Sequence, residues 1–256
     1  MRHHARVPGK DTNIGAKRAR EAREAFGLGA QDPVPCILTT VERDAGVPVV
    51  LAALPAEIAG CVWSGGGRAV VWANGAEPPA RVRFTLAHEL GHLRCGHDAA
   101  LAIDSFETLS GVTSDTREVQ ANAFAAELLM PAAGVRALVE GEPTLETVVL
   151  LAAHFGVSTV AVLYRLNTLG LAARYRRLKE EIDDGLHVDV WERLDPPRPD
   201  DALERLRAQD LPRLSPQIAG SALAALLGGA ASADEVAALI GCEAGLVARG
   251  AGLVGA

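Results

Sequence analysis

His88, Glu89, Leu90, Gly91 and His92 form an H-E-x-x-H run inside a stretch of strong helix formers. Residues four apart on an α-helix share a face, so the two imidazoles can hold one metal ion between them. Glu89 sits one step round the same helix, within reach of a water at that ion. Catalytic zinc usually takes three protein ligands and keeps one position for water. The spacing therefore points to metal-dependent hydrolysis, with Glu89 as general acid and base.

Two imidazoles leave such a site one ligand short. A metzincin needs H-E-x-x-H-x-x-G-x-x-H, but here Cys95 stands at the glycine position and Asp98 at the last histidine. His97 is one residue out of register, and Asp98 stays open as a ligand. Glu118 is the better candidate. It opens a second helical stretch, Glu118-Val-Gln-Ala-Asn-Ala-Phe, after a return long enough to bring its first turn beneath the histidines. Asn122, four residues on, shares a face with Glu118 and can hydrogen-bond a ligand from behind. Asp115 and Glu127 are the fallbacks, while His97, His154 and His187 read as loop or core histidines. Cys95 reads as a small buried thiol. Tyr164 and Tyr175 could serve an oxyanion, but no spacing selects either.

These residues need elements to carry them. Pro78 and Pro79 precede a helix over about 80–96 whose buried flank is Phe84, Ala87, Leu90 and Gly91. Before it, β-leaning runs at 47–54, 59–63 and 68–73 flank Gly65-Gly66-Gly67, as a hairpin requires. Pro48 puts the first run at a sheet edge. Residues 97–114 read as a loop, and a helix over about 115–129 stops at Met130-Pro131. Further helices fit 35–44, 132–140, 144–155, 158–168 and 171–184, and 195–200 is a linker. The fold class is thus α+β, a small sheet plus helices, followed by an all-helical C-terminal region. Four parts are expected: a basic N-terminal helix in 1–30, a catalytic domain over 31–140, a helical module over 141–194 and small helices over 195–256.

The bulk composition narrows the function. An apolar share of 49% supports a buried core, while aromatics at 4% leave packing to Leu, Val and Ala. A net charge of -7 opposes nucleic-acid binding through overall electrostatics. Residues 1–30 run the other way, with seven Lys/Arg against three acids, which reads as a solvated first helix. Four cysteines without framework spacing suit a reducing compartment, and no signal core or membrane-length apolar run is present. A cytoplasmic location is expected, with no membrane partner.

The segment Arg81-Val-Arg-Phe-Thr-Leu-Ala-His-Glu-Leu-Gly-His, with Glu118-Val-Gln-Ala-Asn-Ala-Phe-Ala-Ala-Glu-Leu-Leu-Met-Pro, resembles the ImmA/IrrE family of metallo-endopeptidases over about residues 15–170. The resemblance implies a zincin-like catalytic domain with His88, His92 and Glu118 as ligands and Glu89 as acid/base. Zinc is the implied metal, with manganese as the alternative. A protein substrate is implied too, typically a helix-turn-helix repressor of stress-response or mobile-element genes. One rival comes from Leu151–Leu163, where Ala152 and Gly156 are spaced as in a helix-turn-helix. That rival is a DNA-binding regulator using the metal only for its fold. Its second helix offers only Arg165 as a cation before Arg174, which argues against direct DNA binding.

Overall fold

Short β-branched runs make the sheet, and helices pack on it through stripes of small and aliphatic residues. The computed structural model describes residues 9–97, 102–105, 114–197, 201–209, 213–240, 244–245 and 247. In chain order these hold α1 (Lys10–Ala25), a single turn α2 (Ile37–Thr39) widening into a π turn at Thr40–Asp44, and β1 (Val49–Ala52). The hairpin β2 (Ile58–Gly65) and β3 (Arg68–Asn74) follows, then α3 (Pro79–Cys95), β4 (Ala102–Ser105) and α4 (Thr116–Leu129). The rest is α5 (Ala132–Leu138), α6 (Leu145–Phe155), α7 (Thr159–Thr168), α8 (Tyr175–Asp183), α9 (Leu186–Leu194), α10 (Asp201–Gln209), β5 (Arg213–Leu214), α11 (Pro216–Leu227) and α12 (Ala233–Ile240). The architecture is α+β with a helical C-terminal region.

Among the described residues the strands run in the order β4-β2-β3-β1-β5. Gly66 and Gly67, at φ 58° and 74°, form the two-residue turn of the β2–β3 hairpin. Strand β1 runs parallel to β3 and is buried along its whole length, which accounts for its unbroken apolar run. Pro48 does not mark an edge, because β5 pairs with the other side of β1. The proline stands one residue before the strand, where its missing N–H removes no ladder bond, and its carbonyl accepts from Val71 at 3.0 Å.

Two strands escaped the sequence pattern. The stretch expected as a loop over 97–114 contains β4, which pairs with β2 across a bulge at Ile58/Gly60. Strand β5 is two residues long, and Arg213 holds it with a two-pronged ion pair to Glu42 at 2.6 and 2.7 Å. Part of the 195–256 region therefore joins the sheet. Neither strand is long enough to show an alternation of period two.

Helix α1 buries Gly15, Ala19, Ala22 and Arg23 against α4, while Lys17, Arg18 and Arg20 face water. Only part of this basic helix is solvated. The Arg23 guanidinium donates to the carbonyls of Leu128, Gly29 and Asp32, tying α1 to α4 and the following loop. At the α3–α4 crossing, a Cβ on Gly91 would lie 3.1 Å from the backbone of Ala121 and from the Cβ of Phe124. Glycine there lets the two helices touch.

Helices α6 and α7 meet at 105°, within the range of a helix-turn-helix. Their apolar faces, including Val148, Phe155, Val162 and Leu166, enter the common core. Arg165 is not available to a nucleic acid. It is buried, donates to Met130 O at 2.9 Å and pairs with the buried Glu127. Among the described residues no single helix is long and apolar enough to cross a membrane.

Removing one partner of a buried ion pair leaves the other charge uncompensated. Arg165→Met is expected to lower the unfolding free energy by about 3–5 kcal/mol, and adding Glu127→Leu should recover much of that loss. Urea denaturation of the two variants checks this. Equal destabilisation in both would mean that the pair is not the cause.

Candidate metal centre

Helix α3 is started by Pro79 at its first position, where a fixed φ suits the helix and no N–H is needed. It ends at Gly96, whose φ of 74° closes a Schellman cap. Gly96 N–H donates to Leu93 O at 3.2 Å, and His97 N–H reaches back to His92 O at 3.0 Å. Helix α4 is started by Asp115, whose side chain accepts from Arg117 N–H at 2.8 Å. These two termini place His88 and His92 opposite Glu118.

The three side chains converge. His88 Nε2 lies 2.9 Å from His92 Nε2, and Glu118 Oε2 lies 3.2 and 3.5 Å from the two nitrogens. Ligands about 2.0–2.1 Å from a tetrahedral ion are separated by about 3.3 Å, so this triangle has the size of one coordination face. Among the described residues these three form the cluster able to hold a metal. Both histidines are almost completely buried.

The donor chemistry can be tested on Asn122. Its Oδ1 is 2.9 Å from His88 Nδ1, and an amide oxygen only accepts, so Nδ1 carries the proton. The His88 Nε2 lone pair then faces the Glu118 carboxylate. Two acceptors 3.2 Å apart need a proton or a metal cation between them, and two nitrogens with one oxygen form a donor set that suits a divalent metal. Burial raises the Glu118 carboxyl; where a proton occupies the gap, hydrogen bonds and positive charge from the imidazoles outweigh that burial. The result lies far below the ordinary carboxylate range, which keeps Glu118 anionic.

Glu89 is fully buried and packs toward β2. The strand can come this close because Gly60 has no side chain. A Cβ there would stand 2.5 Å from Thr85 Cγ2, 2.8 Å from Trp72 O and 2.9 Å from Glu89 Oε1. The β2 bulge falls at this same point, a usual place for one beside a functional site.

The other candidates go elsewhere. Asp115 caps α4 and Glu127 pairs with Arg165, so neither fallback joins the cluster. Asp98 lies outside the described residues. Tyr164 and Tyr175 face each other with ring centroids 6.3 Å apart, and His154 packs edge-on against Phe155. Burial raises the Cys95 thiol, consistent with an inert one.

His97, expected as a loop or core histidine, meets the cluster instead. Its Nδ1 lies 2.9 Å from His92 Nδ1, and its Nε2 lies 3.1 Å from Gln120 Oε1. Burial lowers its pKa, against an opposing hydrogen bond to Gln120. The signal was Gly96: a Schellman cap returns the residue after the glycine to the helix's last turn, here to His92.

Residues 44–167 match the family described as Peptidase_M78, IrrE N-terminal-like domain. This segment belongs to that family. No curated protein matches the chain. The matched span is narrower than the resemblance over 15–170, yet it holds His88, Glu89, His92, Glu118 and Asn122 together. The IrrE-like segment is of a metallopeptidase type, and it leaves α1 outside its bounds.

Gly60→Ala is expected to push β2 away from α3 and displace the Glu89 carboxylate. Overpacking of this kind costs about 1–3 kcal/mol. Thermal unfolding reads the loss, and a melting temperature equal to wild type would show that the strand yields freely.

Proposed function

We propose that the chain is a metal-dependent endopeptidase in which His88, His92 and Glu118 hold a divalent cation and Glu89 moves the proton. The observation that carries this reading is the convergence of His88 Nε2, His92 Nε2 and Glu118 Oε2 on one point, with Glu89 adjacent on the helix. Zinc suits a set of two imidazoles and one carboxylate, and manganese is the alternative. When bound, the cation supplies Lewis-acid polarisation of a carbonyl and acidification of water. Glu89 accepts the proton of the attacking water and returns it to the departing amine. Asn122 holds His88 with its Nε2 lone pair toward the ligand cluster.

The substrate is a protein, and the resemblance to ImmA/IrrE enzymes makes a helix-turn-helix repressor of stress-response or mobile-element genes the proposed class. Residues 31–140 act as the catalytic domain, and the module over 141–194 packs on it and presents the substrate. A cytoplasmic location fits the free thiols of Cys36, Cys61 and Cys95. The rival regulator draws on the 105° crossing of α6 and α7. The burial of Arg165 speaks against it.

Zn2+-loaded protein incubated with candidate repressors encoded beside it should cleave one of them, and a chelator should stop the reaction. Glu89→Gln should retain the metal while turnover falls at least 10²–10⁴-fold, the range of general acid–base catalysis. Metal content by elemental analysis and cleavage by gel check the two halves. Near-normal turnover in Glu89→Gln would remove Glu89 from the mechanism. Salt-sensitive DNA binding without cleavage would favour the regulator.

A further inference from the structure

We propose that Asp11, Gln120 and His97 form a hydrogen-bonded relay that fixes the tautomer of His92, which makes helix α1 part of the metal centre's support. The inference rests on reading His92 as a ligand and extends that reading to a helix outside the family-matched segment. Its starting point is a carboxylate. Asp11 accepts from Gln120 Nε2–H at 3.0 Å, which turns the amide oxygen of Gln120 toward His97. That oxygen lies 3.1 Å from His97 Nε2 and can only accept, so His97 Nε2 carries the proton. The Nδ1 lone pair of His97 then faces His92 Nδ1 at 2.9 Å, so His92 Nδ1 carries the proton. His92 Nε2 is left with a lone pair directed into the cluster.

Each link follows from an atom with one role only. Flipping Gln120 would set its oxygen against the Asp11 carboxylate, two acceptors 3.0 Å apart. A His92 bearing its proton on Nε2 could not ligate through that nitrogen. Asn122 does the same service for His88, so each imidazole has its own tautomer anchor.

The backbone is built for this reach. Gly15 lies one turn after Asp11 on the same face of α1, and a Cβ there would stand 2.1 Å from Gln120 O. Helices α1 and α4 are thus in backbone contact beside Gln120. The Schellman cap at Gly96 sets His97 against His92 from the other side.

The test uses the full chain with Zn2+ as probe. Nitrogen-15 NMR of the imidazoles should find wild-type His97 protonated at Nε2. Gln120→Met should mix its tautomers and weaken Zn2+ binding about 10–100-fold, read by competition with a chromophoric chelator. Asp11→Ala should weaken binding in the same direction, while Asp11→Asn, whose amide oxygen still accepts from Gln120, should restore it. Thermal melts show whether each variant is folded. A proton on His97 Nδ1 in the wild type would overturn the relay. So would unchanged Zn2+ affinity in both Gln120→Met and Asp11→Ala, or equal losses in Asp11→Asn and Asp11→Ala. Failure of the wild type to bind Zn2+ at all would strike the metal-site reading itself and remove the relay with it.

Discussion

The crossing of α3 and α4 is the contact on which the candidate centre depends. On α3, His88, Gly91 and His92 occupy positions i, i+3 and i+4. On α4, Glu118, Ala121 and Asn122 occupy the same three positions. Neighbours at these spacings share a helix face. The small central residues, Gly91 and Ala121, let the backbones touch, and the flanking polar groups then meet across the seam. A side chain of ordinary size at position 91 would separate two nitrogens from the carboxylate they now reach.

A buried polar cluster is stable only when each member is satisfied, because the low-dielectric interior penalises unpaired groups. For the two histidines the surrounding elements meet that demand, and β2 shapes the space around Glu89. Asn122 holds His88, the cap at Gly96 delivers His97 to His92, and β2 closes over Glu89 where Gly60 leaves space. The buried arginines serve the scaffold in the same way. Arg23 joins the last turn of α4 at Leu128 to the loop carbonyls of Gly29 and Asp32, Arg83 joins the end of α6 at Phe155 to the loop carbonyl of Val34, and Arg165 ties α7 to the end of α4. Each places a strong donor where chain direction changes and carbonyls would otherwise lack partners.

The helices of the site were legible because their signals are local. H-E-x-x-H fixes a spacing, two prolines start α3, and Met130-Pro131 stops α4. The convergence of Glu118 on the histidines could be anticipated from the return length and the i+4 partner Asn122. The hairpin was legible from its glycines. What stayed hidden is non-local or too short. Strands β4 and β5 owe their existence to partners far away in the chain, with four and two residues to show a period. The buried role of Arg23 and Arg165 cannot be told from a solvated one, because basic residues on amphipathic helices usually face water. Asp11 lies 109 residues from Gln120, so no spacing rule connects them.

The α6–α7 pair shows how one spacing can serve two purposes. A glycine between an apolar helix and a second helix sets a sharp angle, and that angle suits both DNA readers and corner-packed core helices. The outward residues of the second helix separate the two. A DNA-reading helix presents cations and amides to base edges and phosphates. Helix α7 exposes Val160 and Tyr164 and turns Arg165 inward to Glu127. An interior cation with an interior partner fastens the helix to the body of the fold and leaves a largely apolar outer face. Such a face is poorly matched to a phosphate backbone and better matched to another polypeptide.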